Sequence, residues 1–242
     1  MAVESFFTRW RKAVRPLLRE APSAALLALK RRQRKLIQRT AAILVLAGGG
    51  GWIYSYWASA PDRARDEAAL GVKLLGVGTY EQAMRHFDRA IRIWPDFADA
   101  YLNRGLAEHG ASYRAEALAD FDRALYLDPS LIRAYNARGQ IYLENGDVQR
   151  TIQDCSKSIA VSPTVDAYYQ RGEAYEKLGE HQKAIADFDA AIAESREAPL
   201  AYRARSVAKR NAGDRAGAQA DDDQARRIET GQLVDPDVLR TP

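Results

Sequence analysis

Four arginines and four aspartates recur in this chain at a fixed separation, and they are its first candidates for chemistry. Arg104, Arg138, Arg171 and Arg205 are each followed sixteen residues later by an acid: Asp120, Asp154, Asp187 and Asp221. A guanidinium row opposite a carboxylate row could form a ligand site. The plainer chemistry is an ion pair inside each unit, because a functional residue need not recur in every unit whereas a structural one should. The other reactive side chains do not assemble. His86, His109 and His181 show no metal-ligand spacing. Gly48–Gly51 lacks the Lys-Ser/Thr that cradles a phosphate. Cys155, the single cysteine, has neither a disulfide partner nor a catalytic histidine proposed for it. No catalytic residue, metal or cofactor is expected, and the chain reads as a non-enzyme.

The elements that must position these residues repeat about every 34 positions. Gly71, Gly105, Gly139 and Gly172 mark successive units, and Ser206 stands one step further on. Tyr101, Tyr135, Tyr168 and Tyr202 precede the anchors by four. Ala83, Ala117, Ala184 and Ala218 follow them by twelve, and Phe87, Phe121 and Phe188 come after those. Ala90, Ala124, Ala191 and Ala225 come next, then Pro95, Pro129 and Pro163. Glycine breaks such as Leu178-Gly179-Glu180 and proline stops such as Asp128-Pro129 divide each unit into two helices. Small residues allow the helices to cross closely, and the aromatic fills the space between pairs. One pair cannot bury its own apolar face, so stability must come from stacking.

On these residues the chain resembles the tetratricopeptide repeat (TPR) family, and more narrowly membrane-anchored bacterial TPR proteins. The resemblance runs from Ala64 to about Gln232 and implies an all-α helix–turn–helix solenoid of about five repeats. Unit three departs from the pattern with Thr151, Cys155 and Ser158, so its second helix is expected to pack less well. Unit five has Asp222 in the aromatic slot and is read as a solvated cap, while unit one has Glu67 in the tyrosine slot.

The resemblance also implies a groove lined by the first helix of each unit. By position its exposed candidates are Leu102, Leu106 and His109, then Arg133, Asn136, Gln140 and Leu143. Tyr169, Glu173 and Glu176 follow, then Arg203, Val207 and Arg210. Exposed Leu102 and Leu106 point to an extended or helical apolar peptide as occupant. Slots that in some TPR domains clamp a C-terminal carboxylate hold Leu102, Leu106, Ala137, Asp166 and Gln170, so no such clamp is expected.

The N-terminal quarter is a different material. The chain carries a net charge of +4, yet residues 1–60 hold eleven Lys and Arg against Glu4 and Glu20, leaving the remainder acidic. No charge occurs from Thr40 to Ala60. As a helix these residues would reach about 31 Å, the thickness of a hydrocarbon core. Trp52, Tyr54, Tyr56 and Trp57 crowd one end like an interfacial belt. Lys30, Arg31, Arg32, Arg34, Lys35 and Arg39 precede the span. The positive-inside rule therefore puts the N-terminus in the cytoplasm and the repeats across the membrane. Phe6, Phe7, Trp10, Val14, Leu17 and Leu18 lie at helical spacing among basic residues, as an amphipathic helix on an anionic inner leaflet would have them. Ala58-Ser59-Ala60 resembles a cleavage site, but the long basic region and Pro61 favour an uncleaved signal anchor.

The expected map is a basic cytoplasmic segment at 1–39, a transmembrane helix at 40–60, a TPR domain at 61–232 and a tail at 233–242. The repeats fall near 64–97, 98–131, 132–164, 165–198 and 199–232. The expected function is a scaffold in the cell inner membrane, single-pass, with a periplasmic TPR domain that holds a protein or peptide partner during assembly or quality control of an envelope complex. No small-molecule substrate is expected, and a nucleic-acid role lacks any reader motif. The rival readings are a membrane-tethered cytosolic receptor and a soluble secreted module.

Overall fold

The computed structural model describes residues 59–231, which form α-helices joined by short turns. In chain order they are α1 (Ala60–Gly76), α2 (Tyr80–Ile93), α3 (Ala98–Gly110), α4 (Arg114–Leu127) and α5 (Ile132–Glu144). Then come α6 (Val148–Val161), α7 (Val165–Lys177), α8 (His181–Glu194), α9 (Pro199–Asn211) and α10 (Arg215–Glu229). They pair in order into five helical hairpins. From α3 onward each odd helix packs on the even helix before it, and successive odd helices also touch one another. That contact puts the first helices on the inner side of the stack.

The hairpin turns share one chemistry. Glu180 N–H donates to Tyr175 O and Gly179 N–H to Glu176 O, and the same pair of bonds closes α1, α3, α5 and α9. Such a cap needs a left-handed residue. Gly78, Gly146, Gly179 and Gly213 supply it, but the second hairpin uses Ser112 at φ 70°. A serine there carries strain that glycine would not.

Close crossing explains the recurring small residues. A Cβ built on Gly71, Gly105 or Gly172 would stand 2.7, 2.7 or 2.6 Å from the ring of Phe87, Phe121 or Phe188. These rings and the alanines around them form the buried clusters. One joins α1, α2 and α3, and a second joins α3, α4 and α5. Two more join α7, α8 and α9.

Both ends of the stack carry polar or charged side chains where its interior is apolar. Met84, Leu118, Ile152 and Ile185 give way to Gln219 in α10, and Ile91, Leu125, Ile159 and Ile192 give way to Arg226. On α1, Asp66 and Lys73 are exposed in slots where the later first helices bury Ala or Ile. A solvated outer face is what a terminal repeat requires.

Two boundaries differ from expectation. α1 starts at Ala60, four residues before the predicted repeat and at the last residue of the predicted span. Pro61 in the first turn loses no helical bond there, and Asp62 suits the helix N-terminus. Among the described residues no helix is long and apolar enough to cross a membrane. The rest of the predicted span, the basic segment 1–39 and the tail 233–242 lie outside the described residues.

Candidate functional site

The arginine–aspartate rows are part of the frame. Arg104 Nε and Nη2 donate to the two carboxylate oxygens of Asp120, both at 2.7 Å, and Nη1 donates to Asp88 at 2.6 Å. Asp120 belongs to the arginine's own repeat and Asp88 to the preceding one. Arg138 repeats the fork with Asp154 and Asp122, and Arg205 with Asp221 and Asp189. Arg171 grips Asp187 at 2.8 and 2.7 Å, but Nη1 meets only the Ser156 hydroxyl, at 3.0 Å. Each guanidinium also lies over its own repeat's tyrosine, at 5.4–5.9 Å from the ring centroid in four repeats. The recurrence of Tyr and Arg three residues apart therefore has a structural cause. Burial works against the charge on Arg138, yet the bonds from Asp154 and Asp122 raise its pKa above the ordinary range.

Unit one inverts the pair: His86 Nδ1 and Glu67 Oε2 lie 2.8 Å apart, with the acid on the first helix and the base on the second. The acceptors Asp88, Asp122 and Asp189 were absent from the sequence reading. Their own recurrence at the repeat spacing was the signal available.

A second set of links runs along the inner edge and occupies several predicted groove residues. His109 Nε2 lies 3.4 Å from Glu144 Oε2, and Lys177 Nζ donates to Leu143 O at 3.1 Å. Asn211 Nδ2 donates to Glu176 Oε2 at 2.9 Å, and Glu176 also holds His181 at 2.7 Å. These bonds tie units two to three, three to four and four to five. Gly110, beside them, leaves room for the Tyr80 ring, which an added Cβ would meet at 2.5 Å.

Two predicted groove residues leave the surface. Leu102 is only 1% exposed and Leu143 only 5%. Leu102 packs with Ala117, Phe121 and Ala134 in the cluster that joins units two and three. The first-helix position that faces the groove elsewhere is here covered by the neighbouring repeat, so Leu102 is core. Others are engaged within the chain. Arg203 forks onto Glu229 at 2.9 and 2.5 Å, and Arg210 meets Asp222 at 2.8 Å. Gln140 donates to Glu144 and Tyr169 to Glu173. Asn136 Nδ2 donates to Thr164 Oγ1 at 3.5 Å, so what remains for a ligand is Leu106, half-buried against the core cluster, with Arg133 and Val207 exposed. Asn136 Oδ1 is buried without a hydrogen-bond partner.

Two perturbed groups lie in the frame. Glu108 is buried beside Asp120 with its Oε2 unpartnered, and Arg104 stands 3.8 Å away. Burial first, then the Asp120 charge, raises its pKa to about 7. In unit five Lys209 fills the same slot and meets Asp221 at 2.9 Å, so unit two has an acid where unit five has a base. The Cys155 thiol is pushed up to about 12 by burial and is inert as a nucleophile in the closed structure. Among the described residues no group of three or more His, Cys, Asp or Glu could hold a metal.

Comparison with known proteins agrees with this geometry. Residues 77–110 match a family model described as TPR repeat, and residues 132–164 and 165–196 match models described as tetratricopeptide repeat. A crystal structure of MamA superimposes with a TM-score of 0.61 at 24% identity, covering 67% of this chain and 95% of that one. MamA 41-end from Desulfovibrio magneticus RS-1 superimposes at 0.64 with 20% identity, covering 72% and 98%. At such identities the likeness speaks for the fold alone. No curated protein sequence matches the chain.

Proposed function

Because this chain carries tetratricopeptide repeats, we propose that it is a protein-binding scaffold holding a peptide segment of its partner along the inner face of the first helices. The carrying observation is a division of labour among the recurring residues. The side chains that look reactive in sequence are occupied in the frame, while Leu106, Arg133 and Val207 remain on the inner face. The purely apolar occupant first expected gives way to a mixed one. Its apolar side chains would rest on Leu106 and Val207, and an acidic side chain on Arg133.

We place the scaffold on a membrane, with residues 40–60 as the anchor and the repeats on the far side. The uncharged run and the basic residues before it support this reading. Assembly or quality control of an envelope complex is the role that the family resemblance supports. Protease accessibility of a C-terminal tag, in intact and permeabilised cells, tests the topology. A tag protected until the inner membrane is opened reverses the orientation and favours a cytosolic receptor. A soluble fragment beginning near Pro61 removes the anchor.

Photo-crosslinkers at positions 133 and 207 test the groove against one at Tyr126, which is exposed on the second helix α4. One partner captured from the first two positions and not from the third is expected. Equal capture from all three sinks the groove reading.

A further inference from the structure

The apolar core of the stack is interrupted at one helix. Its clusters take residues from α1 to α5 and from α7 to α9, and none includes a residue of α6. The inward face of α6 is Thr151, Asp154, Cys155 and Ser158, where α4 presents Ala117, Asp120, Phe121 and Ala124. With cysteine in place of the ring, the packing loosens. A Cβ on Gly139 would find Gln170 Oε1 at 3.4 Å and Cys155 Sγ at 3.5 Å, an ordinary contact where its siblings would clash. Thr151 recovers bonds to Gly139 O and Asp147 O, but Ser158 Oγ is buried with no partner. The ion-pair ladder is weakest at the same place, since Ser156 offers Arg171 a neutral hydroxyl where the other junctions offer a carboxylate.

We propose that α6 is the built-in opening point of the solenoid. Two apolar blocks, α1 to α5 and α7 to α9, stay folded while α6 detaches from α7 and exposes Cys155. The physical basis is the nearest-neighbour character of repeat stability. Each junction holds by its own contacts, so the junction with a polar core and a missing charge opens at the smallest cost.

Cys155 is the only cysteine in the sequence and buried, so it reports its own exposure. The experiment is the labelling rate of Cys155 in the full chain by a disulfide reagent, measured from zero to moderate urea under native conditions. At low urea the rate should be nearly independent of denaturant. It should also be at least tenfold faster than global unfolding allows, the sign of a local opening. Ser156→Asp restores a charged partner for Arg171 and should slow that rate by about fivefold. Ser158→Ala, which removes the unpartnered hydroxyl, should slow it by a similar factor. Asp122→Ser weakens the ladder on the other side of α5 and should leave the urea-independent rate unchanged. Labelling that follows global unfolding at every urea concentration overturns the proposal. So does local labelling that ignores both α6 substitutions, or that responds equally to Asp122→Ser.

Discussion

Adding a single methyl group to two equivalent glycines should have opposite consequences. At Gly105 an alanine Cβ would stand 2.7 Å from Phe121 Cε1, 3.0 Å from Cδ1 and 3.2 Å from Cζ. Phe121 is fully buried among Leu102, Ala117 and Ala134, so the ring has nowhere to retreat. Overpacking of this kind costs about 1–3 kcal/mol. The helix propensity of alanine over glycine returns about 0.8–1 kcal/mol, leaving Gly105→Ala destabilised by up to about 2 kcal/mol. At Gly139 the nearest atoms are at 3.4, 3.5 and 3.8 Å, so the propensity gain survives and Gly139→Ala is neutral or up to about 1 kcal/mol more stable. The difference of about 2 kcal/mol corresponds to about 4–8 °C in melting temperature for a domain of this size. Circular dichroism melts and urea midpoints of the two variants measure it. Equal shifts, or a larger loss at Gly139, would refute the claim that the aromatic sets the glycine requirement.

Two further outcomes follow from the frame. Arg138→Ala leaves Asp154, whose side chain is 4% exposed, buried without its fork, and should cost about 3 kcal/mol. A urea midpoint no worse than that of Arg203→Ala, whose pair is exposed, would show that the fork contributes nothing beyond a surface pair. Glu108, with its pKa raised to about 7 from 4.5, holds its proton when folded and releases it when unfolded across that window. Its contribution to stability is therefore present below pH 4.5 and lost as pH rises through about 7. Glu108→Gln should flatten the decline in urea midpoint over that range and be the more stable form at pH 8. An unchanged slope would place the proton elsewhere.

The helices, their pairing and their turns were legible from residue types alone. Glycine, alanine and phenylalanine recurred where two backbones approach, and such constraints act on each unit in the same way. The Arg104–Asp120 type of pair was legible for the same reason. The deviations of unit three and unit five were equally visible as broken pattern, because a missing ring or an added charge can be read one residue at a time. Tertiary structure decided what depends on the neighbouring repeat. It buried Leu102 under the next first helix, gave Arg104, Arg138 and Arg205 a second acid from the preceding unit but Arg171 only a serine, and linked Glu176 to Asn211 in the next repeat. It also set Glu108 beside Asp120 and left Asn136 Oδ1 without a partner. A repeat pattern states what every unit must satisfy within itself. Which inner-face side chains remain for a partner depends on how far each unit is covered by the next, and that is a property of the stack.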